Sequence, residues 1–257
     1  MKGAFIDTHC HLYLPEFKED LQSVMMRAEE EGISKFYLPA VDNTTHEDML
    51  AVEASYPDKC YAMIGLHPCS VKENYLQELH EVELWLQKRK FVAVGEVGLD
   101  FYWDRTFEKE QALAFHQQIE WALEHEIPVV IHSRNAIDEC TDIIRKYQSG
   151  TLKGVFHCFS GTYEQGMAIV ESGMYLGIGG VITYQNAGLS ETISKIPIEH
   201  IVLETDAPYL APVPFRGKRN ESGYLKYVIE KLAVIKNITS EEVGRITSMN
   251  AQKIFDH

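Results

Sequence analysis

Eight short apolar runs recur along the chain, and their spacing is the feature that most restricts the fold. They are Ala4–His9, Lys35–Ala40, Cys60–His67, Val92–Glu96, Pro128–His132, Gly154–His157, Met174–Ile178 and Ile201–Asp206. Successive runs end 21 to 36 residues apart. Each interval has room for a strand, a loop and one helix. Near-continuous apolar strands alternating with helices imply βαβ units and a parallel sheet. Eight such units in 257 residues match the size of a (β/α)8 barrel. The expectation is one barrel domain spanning 1–257, since no linker, repeat or low-complexity tract divides the chain. An open doubly wound sheet is the structural rival. It keeps its edge strands far apart, whereas the polar residues described below converge only if the first and last strands meet.

The intervening segments carry helical signals. Lys18–Glu31 places Leu21, Val24, Met25 and Ala28 on one face, with Gly32 as a stop. Thr106–His125 has acids in its first turn and mixes Leu113, Gln117, Glu120, Trp121 and Glu124 into one apolar and one charged side. Thr239-Ser240-Glu241-Glu242 opens a final helix, hydroxyls ahead of acids.

No run reaches 18 apolar residues, so no membrane span is expected. Met1-Lys2-Gly3 leads directly into a strand containing Asp7 and His9, which does not read as a secretory signal. The five cysteines are odd in number, scattered and free of CxxC pairs, which points to reduced thiols in a cytoplasm. Cys10 and Cys158 flank ligand-type residues but read as small core residues. The formal charge of −14 excludes a general nucleic-acid coat. It is compatible with an enzyme acting on phosphates, where divalent cations and a local basic loop set the potential.

The chemistry lies at the ends of the runs. His9 and His11 are two apart, so an extended backbone points both to one side. His67, His132 and His157 terminate three further runs. Glu96 and Asp206 terminate two more. The C-terminal strand ends are the active-site face of a barrel. One histidine in such a place is often a hydrogen-bonded core residue. Five on four strands with two carboxylates are another matter, because buried charge is costly unless a cation pairs it. Four histidines and two carboxylates suffice for two divalent ions, with Glu96 between them and Asp206 as proton acceptor for an attacking water. The mixed nitrogen and oxygen donors suit Zn, Mn or Fe better than Mg, though Mg is compatible. His46, His80, His116, His125, His200 and His257 read as ordinary surface residues.

An ordered series of motifs resembles the TatD-related metal-dependent hydrolases over nearly the whole chain. It comprises Asp7-Thr8-His9-Cys10-His11-Leu12, Gly65-Leu66-His67-Pro68, Gly95-Glu96-Val97-Gly98-Leu99-Asp100, His132-Ser133-Arg134, His157-Cys158-Phe159-Ser160-Gly161, Glu204-Thr205-Asp206-Ala207-Pro208-Tyr209 and Arg216-Gly217-Lys218-Arg219-Asn220. The resemblance implies a barrel with a metal centre in which His9, His11, Glu96 and Asp206 hold one ion, and Glu96, His132 and His157 hold the second. Asp206 and Glu96 are then the catalytic residues. The family is similar to deoxyribonucleases, often 3′-to-5′ exonucleases on single strands, and some relatives remove D-amino acids from mischarged tRNA. Many members continue Asn-Glu with Pro, whereas Ser222-Gly223 follow Glu221 here.

A substrate side is also legible. Pro212–Arg219 is the main basic cluster and follows the eighth run, where barrels often bind phosphate. Arg216, Lys218 and Arg219 are its cations, and a solvated loop is its plainer reading. Arg134 can grip a phosphate oxygen. Phe101-Tyr102-Trp103 can stack on a terminal base or pack over the barrel mouth. His67, held by Pro68, is expected at substrate, with a third ion as the alternative. The expected function is a two-metal 3′–5′ exonuclease (Zn, Mn or Mg) acting as a monomer on single-stranded DNA or RNA. The alternative is a D-aminoacyl-tRNA deacylase or another carboxylic ester or amide hydrolase using the same ions. Binuclear amidohydrolase barrels often bridge their ions with a carboxylated lysine, and Phe91–Val97 contains none, which favours the phosphodiesterase. A barrel holding metal for stability alone would close every coordination position with protein.

Overall fold

The computed structural model describes residues 4–185 and 188–255. Eight strands alternate with helices: β1 (Phe5–Asp7), β2 (Ile33–Leu38), β3 (Cys60–Ala62), β4 (Val94–Asp100), β5 (Val129–Arg134), β6 (Gly154–Phe156), β7 (Tyr175–Ile178) and β8 (Ile201–Leu203). The helices are α1 (Leu21–Glu30), α2 (Asn43–Ser55), α3 (Tyr75–Lys88), α4 (Glu108–Glu124), α5 (Ile137–Tyr147), α6 (Tyr163–Glu171), α7 (Leu189–Lys195), α8 (Leu225–Lys236) and α9 (Ser240–Phe255).

All strand pairs are parallel, in the orders β1-β2-β3 and β4-β5-β6-β7-β8. Two seams join these sheets. Ile64 bridges to Val94, and Cys10 bridges to Ala207. The amide of Gly95 donates to Ile64 (2.9 Å), and that of Thr8 to Leu203 (2.9 Å). The result is a closed (β/α)8 barrel, which brings the first and last strands together.

Ile6, Tyr37, Met63, Val130, Val155 and Val202 form an inner layer apart from the larger core under the helices. Burying a side chain of this size contributes about 1.5–3 kcal/mol. α9 closes the lower end, where Phe255 stacks on Tyr37 with ring centroids 4.3 Å apart. Strand alternation then builds the site. Two residues beyond Val130, Val155 and Val202 come His132, His157 and Glu204, one layer nearer the C-terminal face.

Most strands are shorter than their apolar runs. His67 lies beyond β3 at the start of a 3-10 turn (Pro68–Ser70), and Asp206 lies beyond β8. α1 buries Val24, Met25 and Ala28 as expected, and Gly32 follows at φ 89°. On α4, Trp121 is buried but Leu113 is exposed, so Leu113 does not belong to the apolar side. The buried face instead includes Gln111 and Gln118, which bond the backbones of Asp100 and Leu66.

His46 corrects another expectation. It is buried in α2 rather than exposed, and burial pushes its pKa down to about 4. His116 is half-buried against Tyr147, and His200 packs near Tyr175. His80 and His125 are exposed, and His257 lies outside the described residues.

Candidate metal centre

Glu96 sits at the middle of the cluster because of an irregularity in β4. In the register with β5, Gly95 faces Val130 and Val97 faces Ile131, leaving Glu96 as an extra residue. Val94, Val97 and Leu99 pack into the outer core. A Cβ on Gly95 would lie 2.7 Å from Val130 Cβ, so that position faces the lumen. Plain alternation would send the next residue outward. The bulge turns Glu96 inward instead, and it lets Asp100 follow on the same side.

The two oxygens of Glu96 face different partners. Oε2 lies 3.2 Å from His9 Nε2 and 3.8 Å from His11 Nε2. Oε1 lies 2.8 Å from His132 Nδ1, 2.8 Å from His157 Nε2 and 3.4 Å from His67 Nε2. Asp206 Oδ1 completes the first set, 3.5 Å from His11 Nε2 and 3.7 Å from His9 Nε2. Asp206 adopts φ 56°, a left-handed conformation that Asp tolerates better than most residues.

Outer partners decide which nitrogen each ring offers. The Tyr13 hydroxyl lies 2.6 Å from the Pro39 carbonyl, which can only accept. Tyr13 therefore accepts from His11 Nδ1–H at 2.8 Å, and His11 Nε2 keeps its lone pair. Asp100 accepts from His132 Nε2 at 2.8 Å, leaving Nδ1 toward Glu96. Glu204, fully buried, faces His157 Nδ1 at 3.6 Å. Carboxylate and hydroxyl partners of this kind orient metal-binding imidazoles.

His67 is different. Its Nδ1 accepts from the Cys69 amide at 3.0 Å, so its proton resides on Nε2. The ring is a donor toward Glu96 and does not fit a third-ion ligand, although its atoms lie within reach of one.

Burial alone would raise the pKa of Glu96, but the imidazoles of His157, His67 and His9 outweigh it and hold the carboxylate well below its usual range. Burial also opposes ionisation of Asp206. The imidazoles of His11, His157 and His9 beside it lower its pKa nevertheless. His9 Nε2 and His11 Nε2 lie 3.3 Å apart, both turned toward these carboxylates. Such a set of lone pairs and anions, with only imidazoles as the described ion partners of Glu96, fits divalent cations. The groups His9–His11–Asp206 and His9–Glu96–His157 each converge closely enough to hold one.

Residues 6–256 match the family model described as TatD related DNase. The chain belongs to the TatD-related DNase family. It is thereby a metal-dependent hydrolase. It is 36% identical over 250 residues to the uncharacterized metal-dependent hydrolase YabD of Bacillus subtilis, covering 97% of this chain and 98% of that protein. It is 29% identical to the 3′-5′ ssDNA/RNA exonuclease TatD of Erwinia tasmaniensis, covering 97% and 99%. The crystal structure of YjjV, a TatD homologue from Escherichia coli K12, superposes with a TM-score of 0.94 at 30% identity over the full length of both chains.

In this TatD-family barrel a cleft of about 670 Å³ opens on the cluster, lined by His132, His157 and Asp206 together with Tyr102, Arg134 and Cys158. Cys158 is half-buried and Cys10 fully buried, and burial raises the pKa of both thiols well above the ordinary value. Arg134 does reach the cleft, with its guanidinium 3.9 Å from the Tyr102 ring centroid. Arg216 lies over Tyr184 at 4.6 Å, and Lys218 is exposed. Arg219 departs from the expected substrate contact. Its fork is engaged with Asp20 at 2.8 and 2.7 Å and with the Glu16 carbonyl, a tie between the basic loop and the start of α1.

Sequence reading assigned no ligand-orienting role to Asp100, Tyr13 or Glu204, and none to Asp7. Asp7 clamps β1 to the segment after β8, accepting from the Thr205 amide (2.9 Å) and hydroxyl (2.6 Å). Burial lifts its pKa to about 7. For Asp100 and Glu204 a signal existed, since each is a carboxylate within a ligand-bearing motif. Tyr13 offered none beyond standing two residues after His11.

No helix among the described residues is long and apolar enough to cross a membrane.

Proposed function

We propose that this TatD-family hydrolase removes nucleotides from the 3′ ends of single-stranded DNA or RNA and uses two divalent ions, Zn, Mn or Mg. The observation that carries the reading is the division of Glu96, one oxygen toward His9 and His11 and the other toward His132 and His157. His9, His11, Glu96 and Asp206 would hold one ion, and Glu96, His132 and His157 the other. When bound, such a pair supplies an acidified water and neutralises charge on a phosphoryl oxygen.

The chain's own residues account for the remaining steps. Asp206 is held ionised at the cleft and accepts a proton from the attacking water. His67 presents Nε2–H toward Glu96 and keeps that carboxylate ionised as charge moves nearby. Arg134, with Arg216 and Lys218 on the loop after β8, screens the phosphates. Residues 1–257 act as one hydrolase domain and as a monomer. The free cysteines support a reducing, cytoplasmic setting.

The test is a paired assay on metal-reconstituted enzyme, with 3′-labelled single-stranded DNA in one arm and D-aminoacyl-tRNA in the other. Release of mononucleotides that requires metal and Asp206 supports the exonuclease. Release of the amino acid with intact nucleic acid transfers the site to the deacylase reading.

A further inference from the structure

The geometry points to Asp100 as a positioning residue that joins the metal centre to a nucleobase seat formed by Tyr102, Trp103 and Arg134. The inference rests on the nucleic-acid reading above and adds where the substrate's base is received. Asp100 is fully buried, and its two oxygens have separate duties. Oδ2 accepts from His132 Nε2 at 2.8 Å, which leaves the other nitrogen of that ring toward Glu96. Oδ1 accepts from the amides of Tyr102 (2.9 Å) and Trp103 (3.0 Å), which sets the turn after β4. One carboxylate therefore fixes both the ligand imidazole and the aromatic turn.

That turn is built to receive a flat ring. Trp103 is 68% exposed and Tyr102 is 53% exposed, an unusual setting for adjacent large aromatics. Their rings meet edge to face, with centroids 4.9 Å apart. The Arg134 guanidinium lies 3.9 Å from the Tyr102 centroid and 5.2 Å from that of Trp103. Among the described residues no carboxylate pairs with Arg134, so its N–H edge is available. Tyr102 and Arg134 line the same cleft as His132 and Asp206. Register holds the parts together, because Asp100 pairs with Arg134 and Gly98 with His132 across β4 and β5. An exposed aromatic pair carrying a cation, at the rim of a phosphate-cutting cleft, matches the chemistry of a stacked terminal base.

The probe is a short single-stranded oligodeoxynucleotide with a cleavage-resistant phosphorothioate 3′ linkage, titrated into zinc-loaded enzyme while tryptophan fluorescence is read. Subtracting the response of Trp103→Phe isolates this side chain from Trp85 and Trp121. Binding quenches the Trp103 signal, and Trp103→Ala raises KM for a cleavable strand about five- to hundredfold with kcat within about twofold.

The Asp100 variants separate the two duties. Asp100→Asn keeps an oxygen for the two amides but turns an N–H2 toward His132, which forces the wrong tautomer. Its zinc affinity falls about tenfold or more, while the Trp103 quench and KM at saturating zinc are retained. Asp100→Ala loses both. No Trp103 response in zinc-loaded wild type, or identical behaviour of the Asn and Ala variants with normal circular dichroism, overturns the inference. Quenching without cleavage of any unmodified strand leaves the seat in place and removes the exonuclease reading instead.

Discussion

The hydroxyl of Tyr13 determines which nitrogen His11 offers to the centre of the barrel. With its own proton on the Pro39 carbonyl, Tyr13 can only accept from His11 Nδ1–H. Tyr13→Phe removes that acceptor and frees the ring to take the other tautomer. Metal affinity should fall about 10- to 100-fold with the fold intact, measured by competition with a chromophoric chelator. Unchanged affinity would mean that His11 needs no outer partner.

Asp206→Asn keeps an oxygen beside His9 and His11 but cannot accept a proton. Turnover should drop by about 10²- to 10⁴-fold while much of the zinc, by elemental analysis, is retained. Near-normal turnover would assign the base elsewhere.

Gly98 tests the packing behind the ligands. It adopts φ 133°, and a Cβ there would lie 2.1 Å from the His132 carbonyl oxygen. Gly98→Ala should cost about 2–4 kcal/mol in urea denaturation and also weaken metal binding, because the backbone of the proposed ligand His132 must move. A loss under about 1 kcal/mol would show that β5 yields easily.

Arg219 should behave as a structural residue despite its place in the basic loop. Arg219→Ala breaks a bidentate pair with Asp20 and should lower stability by about 1 kcal/mol, with KM for single strands nearly unchanged. Lys218→Ala should do the reverse. A large KM effect from Arg219 alone would return it to the substrate side.

His46 gives a pH signature away from the metal site. Burial takes its pKa from the ordinary 6.5 of a solvated imidazole down to about 4 in the folded protein. Between these values the unfolded chain binds a proton that the folded chain does not. Stability is therefore lost as pH falls from about 6.5 to 4. His46→Leu should gain on wild type over that window in parallel urea titrations of metal-free protein. A constant difference across the window would show that His46 is not buried neutral.

The strand ends bearing His9, His11, His132, His157, Glu96 and Asp206 were readable because an imidazole or carboxylate at the end of an apolar run is chemically conspicuous. The burial of His46 was not, because α2 has an almost unpatterned helical face and its neighbours come from elsewhere in the chain. The engagement of Arg219 was equally hidden, since its partner Asp20 is 199 residues away.

What the sequence by itself determined was the repeating βα unit and the chemical identity of the candidate ligands, because strand period, run length and residue type are local properties. Tertiary structure alone decided how those ligands face one another. The bulge that turns Glu96 into the lumen arises from its register with β5. The tautomers of His11 and His132 depend on a carbonyl and a carboxylate held by other strands and loops. The meeting of β1 with the end of β8, which brings His9 to Asp206, exists only once the barrel closes. Register, proton placement and closure are relations between distant segments, so no local pattern can encode them.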